Sequence, residues 1–569
     1  MWFIDRPERL SRERRAVEKL AAEAPWLERV DWRVTDKMAI VVDVDMRVAG
    51  KLVELSMTYP DLFPVAPPAV KTRDGSMLTT AHQYNNGDLC LQIRTDNWRP
   101  EIEGVALLVS AHELMSTESV IDERGRHGEV ESDHELSLGQ RLRGKRWRFI
   151  LTRSAFEHAI AAEGHAPAQF SWQVRGGASL VSSLISVNAE GPMRWVDADL
   201  PAPVGRSSTA GFLIGLTAGD ARAQALSQAA SLGSKKVRET LLGEGECTEP
   251  REIFLTVEPE QMRAFFLDYG DNKVDEFEII YPELTRRLPK RHAELPTRKV
   301  GIVGCGSVGS KVAAALARAG VGSFYLVDDD IVRAENLVRN DLDWTSVGAH
   351  KAAAVGERLT LVNPRAVFEQ SFQKLGGQES SSAQAGVLTK LGDCDLIVDA
   401  SGDDSAFNYL AAVTRERQKP MVWARVFGGG YGGLVVRARP GIEASPHAVR
   451  ASIEAWYSNP DFPEPPIAAA DYAAIDGAGA PMIADDADVS VISAHLARVV
   501  IDILAGGAST FEHSAYAIGL RKEGIFDAAF DTWPIVVASA QDEPPQQPVD
   551  GDERRAGWAE LLTLMAARA

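Results

Sequence analysis

Four apolar residues, Val300 to Val303, run into Gly304-Cys305-Gly306-Ser307-Val308-Gly309 and then into a helical pattern. Glycines so spaced allow a tight turn and close backbone approach, and the amides and dipole of a helix start attract a phosphate. A second apolar run, Ser323 to Val327, ends on Asp328, nineteen residues after Gly309. A carboxylate there can accept hydrogen bonds from ribose hydroxyls, so the segment reads as a nucleotide site and not as a structural turn. Arg339 follows, and Lys351 stands twelve residues beyond it. Transfer chemistry on a triphosphate needs fixed cations along the phosphates and a carboxylate to hold magnesium. A nicotinamide dehydrogenase would use the glycine loop and Asp328 and leave Arg339 and Lys351 idle. A second reactive residue is Cys90, set in TAHQYNNGDLCLQIRTDNWRP among a turn, side-chain amides and the nearby His82. The other thiols read differently. Cys305 and Cys394 are small buried fillers, and Cys247 sits in an acidic turn that disfavours the thiolate.

These residues must be carried by several cores, since 569 residues correspond to about four domains. Lysine plus arginine at 61 against aspartate plus glutamate at 80 gives a net charge of −19. Such a surface repels phosphate backbones, so nucleic acid is not expected as a partner. No run approaches the roughly 18 uncharged apolar residues of a membrane span, and Met1 to Arg15 carries no export-signal pattern, so a cytoplasmic protein without membrane contact is expected. The four cysteines form no C-x-x-C pair, which leaves neither a disulfide framework nor a four-thiolate zinc site.

The chain divides into four stretches. In residues 1–165, a helix from Leu10 to Ala24 precedes strands Met38 to Val48 and Lys51 to Thr58, joined by the Ala49-Gly50 turn. Proline then dominates to Pro68, and helical spacing returns at Val105 to Met115 and again through Arg141 to Ala162. This is an α+β unit. Residues 166–285 mix strand patterns, Ser179 to Val187 and Glu252 to Val257, with helical ones, Ala221 to Leu232 and Pro259 to Leu267, and carry no catalytic signature. A basic connector, Arg286 to Lys299, opens residues 286–540, where strands and helices alternate as in a parallel α/β sheet. Residues 541–569 are an acidic, proline-rich linker followed by a short helix, Trp558 to Met565, that packs at the terminus or docks on a partner.

The glycine loop, Asp328-x-Asp330, Asn336-x-x-Arg339 and Lys351 together resemble the ubiquitin-activating and ThiF-like adenylyltransferase superfamily, over roughly residues 286 to 520. The resemblance implies a Rossmann-like domain that binds ATP through Gly304, Gly306 and Gly309. Asp328 would hold the ribose, Asp330 would shape the pocket, and Asn336, Arg339 and Lys351 would hold the phosphates while a substrate carboxylate attacks. Relatives bind magnesium through an aspartate after a later strand. Here the strand is Asp395 to Val398, and Asp403 is chosen as the ligand, with Asp399 and Asp404 as rivals, because glycine stands where the usual aspartate would align. The resemblance also implies a homodimer in which Arg286, Arg287 or Arg291 reaches the partner's site.

The order Tyr59-Pro60, Phe63-Pro64, Pro67-Pro68, His82, Gly87-Asp88-Leu89-Cys90-Leu91, Trp98-x-Pro100 resembles the ubiquitin-conjugating fold. Cys90 would then carry a thioester. An amine attacks a thioester through an oxyanion that a side-chain amide stabilises, which assigns Asn85 as its donor and His82 as a support of the loop. In the family, asparagine follows histidine and proline directly; here His82-Gln83-Tyr84-Asn85-Asn86 replaces that triplet.

The whole reads as a multidomain α/β chain. An N-terminal α+β ubiquitin-conjugating-like domain and an α+β middle domain precede a C-terminal Rossmann-like ThiF-type adenylation domain. This order resembles the fused conjugation enzyme of CBASS anti-phage systems. It implies ATP-dependent activation of a protein C-terminus, that of a cGAS-like nucleotidyltransferase or, in other bacterial operons, of a ubiquitin-like protein, and delivery by Cys90 to lysines of a target. Relatives place a further cysteine in the crossover segment, here Asp476 to Pro481. Either Ala478 or Ala480 replaces that cysteine, or the adenylate passes directly to Cys90. A scaffold with two inactive folds and an NAD-binding Rossmann protein are the competing readings.

Overall fold

The computed structural model describes residues 1–76, 83–84, 86–118, 137–176, 179–189, 193–226, 229–245, 249–283, 285, 287–458, 474–475, 481–542 and 551–566. The chain divides into two compact units, Met1–Arg141 and Leu142–Ala569.

In the first unit the helix Pro7–Glu23, with proline in its first turn, precedes an antiparallel four-stranded meander of Leu27–Val34, Ile40–Val48, Lys51–Thr58 and Ala69–Thr72. Ala49 and Gly50 both take positive φ, +46° and +79°, the handedness that matches strand twist in a two-residue hairpin. The first strand escapes a reading of the sequence because it is an edge, with only Leu27 fully buried and charged residues along its length. The helix Val105–Glu118 shares one core with the sheet. Leu107, Leu108, Ala111 and Leu114 join Val42, Val44, Met46, Leu55 and Met57, each fully buried large side chain contributing about 1.5–3 kcal/mol.

The second unit holds two large sheets. The first has ten strands among the described residues, from Trp147–Ile150 to Lys273–Ile280. Two expectations are corrected here. Pro259 to Leu267 is not helical: Met262–Asp268 is a strand between Arg251–Val257 and Lys273–Ile280. Its pattern misleads because both faces are buried, Ala264 and Phe266 in one core and Phe265 and Leu267 in another. Likewise, Arg141 to Ala162 is not one helix. Trp147–Ile150 pairs in parallel with Lys273–Ile280 and Ser179–Ser182, so this sheet begins before residue 165. After Arg141, which ends the short helix Leu138–Arg141, only Arg153–Ala159 is helical, started by the Thr152 hydroxyl, which accepts from the Ala155 amide.

In the other sheet, Val367–Ser371, Ser323–Val327, Lys299–Val303, Leu396–Asp399 and Met421–Val426 lie side by side in parallel. Gly432–Ala438, Ala515–Gly519 and Thr532–Ile535 continue it antiparallel. Both faces are covered. Val312, Leu316, Val355, Ile492 and Leu496 pack one side, from the helices Ser307–Ala319, Lys351–Val362 and Asp486–Ala505. Val387, Leu391, Phe407, Leu410, Val449 and Ile453 pack the other. Chain order reverses at Lys299–Val303, whose two neighbours lead to opposite edges. The carboxyl end of that strand is therefore the switch point at which open α/β sheets bind ligands. Among the described residues no helix is long and apolar enough to cross a membrane. The terminal helix Gly551–Ala566 is exposed along its length.

Candidate functional site

At that switch point the strand Lys299–Val303 ends in Gly304, whose φ of +87° is open to glycine alone at low cost. A Cβ on Gly304 would lie 2.5 Å from the Ala400 carbonyl oxygen, and one on Gly309 would lie 1.8 Å from that of Gly304. These two glycines let the loop, the next strand's exit and the helix Ser307–Ala319 close together. Gly306 is different. It caps that helix, and a Cβ there would meet nothing within 4 Å. Open space in front of the helix amides is what an approaching phosphate requires.

Asp328 closes the strand Ser323–Val327 and binds the loop. Its Oδ2 accepts from the Cys305 amide at 2.6 Å and its Oδ1 from the Asp330 amide at 2.9 Å. Burial raises its pKa, partly offset by those amides. A carboxylate has about four acceptor sites, so sites remain for a ribose. Asp330 faces Lys351, with Oδ2 2.6 Å from Nζ, and the Lys351 amide donates to the Asp330 carbonyl at 2.9 Å. Although burial opposes ionisation, the lysine's hydrogen bond holds Asp330 below its ordinary pKa. Lys351 opens the helix Lys351–Val362, and its side chain is only 12% exposed.

Asn336 sits in the short 3-10 helix Ala334–Val338, where its Oδ1 accepts from the Arg333 amide at 2.9 Å. Arg339 follows, and its Nη1 donates to the Ala484 carbonyl at 3.4 Å. Two neighbours went unread in the sequence. Asn340 is buried and donates to the Cys305 carbonyl at 3.2 Å, and its Oδ1 has no hydrogen-bond partner among the described residues. Lys311, two residues past Gly309, reaches Asp486 at 2.7 Å with a side chain 13% exposed. The signal for both was adjacency, to Arg339 and to the third glycine.

On the other side of the loop, Asp399 ends the strand Leu396–Asp399, and its Oδ1 accepts from the Ser401 amide and hydroxyl at 3.0 and 2.6 Å. Burial pushes its carboxyl up, and the charge of Asp403 adds to this. Asp403 caps the helix Asp404–Arg417, its Oδ1 accepting from the Ser405 and Ala406 amides. Asp404 instead pairs with Arg450 at 2.7 Å. Two mutually repelling carboxylates suit a cation, although no cluster of three or more ligating side chains is found among the described residues. Arg287 pairs with Glu283, and Arg291 is exposed. Arg286, Cys247, Ala478 and Ala480 lie outside the described residues.

Cys305 and Cys394 are fully buried. Burial raises the Cys305 thiol well above its ordinary value and pushes Cys394 up to about 12.

In the first unit Leu89 and Leu91 are core residues, 5% and 4% exposed, and fix the chain on either side of the half-buried Cys90. Arg94 Nη1 lies 3.1 Å from Cys90 Sγ, and the thiol is 3.5 Å from the Tyr84 hydroxyl. The hydrogen bond with Cys90 and burial raise the pKa of Tyr84. Trp98 donates from Nε1 to the Pro64 carbonyl at 2.7 Å, and Tyr59 is 1% exposed, so both frame the fold. Tyr84 and Arg94 were not singled out in the sequence. His82 and Asn85 lie outside the described residues.

A glycine loop at the switch point of a doubly covered sheet, with acids and cations on its rim, defines an adenylation domain, and residues 287–494 match the ThiF family. Uncharacterized protein y4oA of Sinorhizobium fredii is 30% identical over 233 residues, 39% of this chain and 38% of that protein. The ATP-dependent ubiquitin transferase-like protein Cap2 of Enterobacter hormaechei is 38% identical over 126 residues, 22% of this chain and 20% of that protein. The chain thus spans less than half the length of these two relatives. A crystal structure of Escherichia coli MccB with AMPCPP and MccA is similar at 18% identity and a TM-score of 0.33, over 44% of this chain and 67% of that one. The chain carries a Rossmann-like ThiF domain and resembles the ThiF-like activating and conjugating fusions of CBASS systems.

Proposed function

We propose that this chain is a cytoplasmic enzyme that adenylates a protein C-terminus with ATP, receives the acyl group on Cys90 and conjugates it to a target lysine in anti-phage defence. The observation that carries the reading is the convergence of the glycine loop, Asp328, Asp330 and Lys351 at the ends of two neighbouring strands within the ThiF match. Gly304, Gly306 and Gly309 admit the phosphates, and Asp328 holds the ribose. Lys351, Arg339 and Asn336 bind the triphosphate, and Asp330 holds Lys351 in place until the nucleotide arrives. Asp403 would hold magnesium, which spreads the charge of the leaving pyrophosphate. The substrate carboxylate attacks the α-phosphorus, and pyrophosphate leaves.

The acyl donor is the C-terminus of a cGAS-like nucleotidyltransferase or of a ubiquitin-like protein. Within the first 165 residues, the unit Met1–Arg141 acts as a ubiquitin-conjugating-like domain, with Asn85 as oxyanion donor and His82 as its support. Residues 166–285 form the middle domain, and 286–540 the adenylation domain of a homodimer. The acyl group reaches Cys90 either directly from the adenylate or by way of a crossover cysteine that Ala478 or Ala480 replaces. Incubation with ATP, magnesium and each candidate donor is expected to give a thiol-sensitive adduct on non-reducing gels that is lost in Cys90→Ala. Failure of labelled pyrophosphate to enter ATP with every donor would overturn the reading.

A further inference from the structure

The surroundings of Cys90 contain a charged residue whose guanidinium is turned toward the sulfur. Arg9 and Arg94 in the same unit make the contrast. Arg9 is a structural arginine: its Nε donates to Glu13 at 2.8 Å and its two terminal nitrogens to the Pro100 and Ile102 carbonyls at 2.5 Å each. Every arm ends on an oxygen. Arg94 instead directs Nη1 at the Cys90 sulfur, at 3.1 Å, and leaves a buried Nη2 without a hydrogen-bond partner among the described residues. Asp96 lies 3.4 Å from its Nε, and the side chain is 16% exposed. A buried donor left open carries a desolvation cost, which a later partner can relieve.

The backbone around Arg94 is held rigidly. Asn97 Oδ1 accepts from the Arg94 amide at 2.8 Å, Asn97 Nδ2 donates to the Gln92 carbonyl at 2.7 Å, and the Trp98 amide donates to the Arg94 carbonyl at 2.8 Å. The Gln92 amide is tied to Ser110 Oγ at 3.0 Å, on the helix Val105–Glu118. The main chain that carries the guanidinium is thus tied on both sides, and the side chain lies largely out of solvent against the sulfur.

We propose that Arg94 is a catalytic residue of acyl transfer, whose guanidinium stabilises the Cys90 sulfur as it leaves the thioester; this rests on the reading of Cys90 as acyl carrier. The target amine attacks the thioester carbon, and a C–N bond forms as the carbonyl oxygen takes negative charge. When the oxyanion collapses, the C–S bond breaks and its electron pair passes to Sγ. The amine gives up its proton to solvent. Charge appears on the sulfur only at this step, 3.1 Å from a fixed cation. A charge-assisted hydrogen bond formed there lowers the barrier, whereas one present equally beforehand would not.

The test uses the full chain and a small acyl probe, the glycylglycine thioester of mercaptoethanesulfonate, which acylates Cys90 by thiol exchange. Cys90→Ala serves as the blank. Release by hydroxylamine at fixed pH is followed by intact mass. Arg94→Ala and Arg94→Gln are each expected to slow release at least about tenfold, the effect of one charge-assisted hydrogen bond, and Arg94→Lys to recover much of the rate. Arg94→Gln keeps the size of the side chain and serves if Arg94→Ala does not fold. Release from Arg94→Gln at the parent rate would overturn the proposal. Failure of the carrier reading is separate: the ATP-dependent adduct with a donor protein would then survive Cys90→Ala, whatever Arg94 does to the probe.

Discussion

The ammonium of Lys351 rests 2.6 Å from the Asp330 carboxylate, and the main chain of the same two residues is joined by a 2.9 Å hydrogen bond. Side chain and backbone together fix the lysine at the mouth of the glycine loop, with its charge already compensated. A triphosphate competes for that ammonium with several charges against one. Lys351→Ala is therefore expected to lower ATP–pyrophosphate exchange about 10²–10³-fold, the range for losing one preorganised electrostatic contact. The check is exchange of labelled pyrophosphate at saturating donor, where a parent-like rate would remove Lys351 from the chemistry.

The glycine loop permits a sharper separation of fold from function. At Gly309 a Cβ would sit 1.8 Å from the Gly304 carbonyl, so Gly309→Ala must displace the helix start and lower both the melting temperature and exchange. At Gly306 a Cβ meets nothing in the chain. Gly306→Ala is expected to melt as the parent does and to lose exchange at least about tenfold, since the methyl enters the space left for phosphate. Equal melting loss in both variants would contradict the assignment of that space.

Much of this site was legible because its parts are local. The glycines, Asp328 and Lys351 lie at ends of elements whose period and turns are written in adjacent residues. What could not be read is long-range. Lys311 meets Asp486, and Arg339 meets Ala484, across about 150 residues of chain or more. The spacing of Pro259 to Leu267 predicts a helix where the strand Met262–Asp268 stands, because a strand buried on both faces has no polar alternation to announce it. Arg94 sits four residues from Cys90, yet their contact forms in a loop that Asn97 closes on the Arg94 amide, which spacing alone does not announce.

Glu13 in the helix Pro7–Glu23 is fully buried and accepts from Arg9, from the Tyr59 hydroxyl at 2.9 Å and from the Gly104 amide at 2.7 Å. It joins that helix to the sheet exit and to the segment that enters the helix Val105–Glu118. Glu13→Ala leaves a buried guanidinium, hydroxyl and amide without their acceptor. It is expected to cost about 3–5 kcal/mol, whereas Tyr59→Phe removes one bond and costs about 1 kcal/mol. Urea unfolding of the full chain followed by tryptophan fluorescence distinguishes the two. Similar small losses would show that Glu13 is replaceable by water.

Glu369 provides the pH dependence. Lys299 donates to its Oε1 at 2.8 Å and Lys390 to its Oε2 at 2.9 Å, and hydrogen bonds from both lysines lower its pKa to about 2. The unfolded carboxyl titrates near 4.3. Because the folded value is lower, the ionised form is favoured by folding. Its contribution is complete above roughly pH 5 and disappears as pH falls towards 2. All three side chains are partly exposed, Glu369 by 48%, so solvent screening holds the effect to about 1 kcal/mol or less. Parent and Glu369→Gln should accordingly differ in melting temperature by a constant amount from pH 7 to pH 5, and the gap should narrow below pH 4. Added salt should shrink the gap at pH 7 as well, because exposed ion pairs are screened within about 8–10 Å at moderate ionic strength. A gap that widens on acidification would mean that the two lysines do not set the ionisation of Glu369.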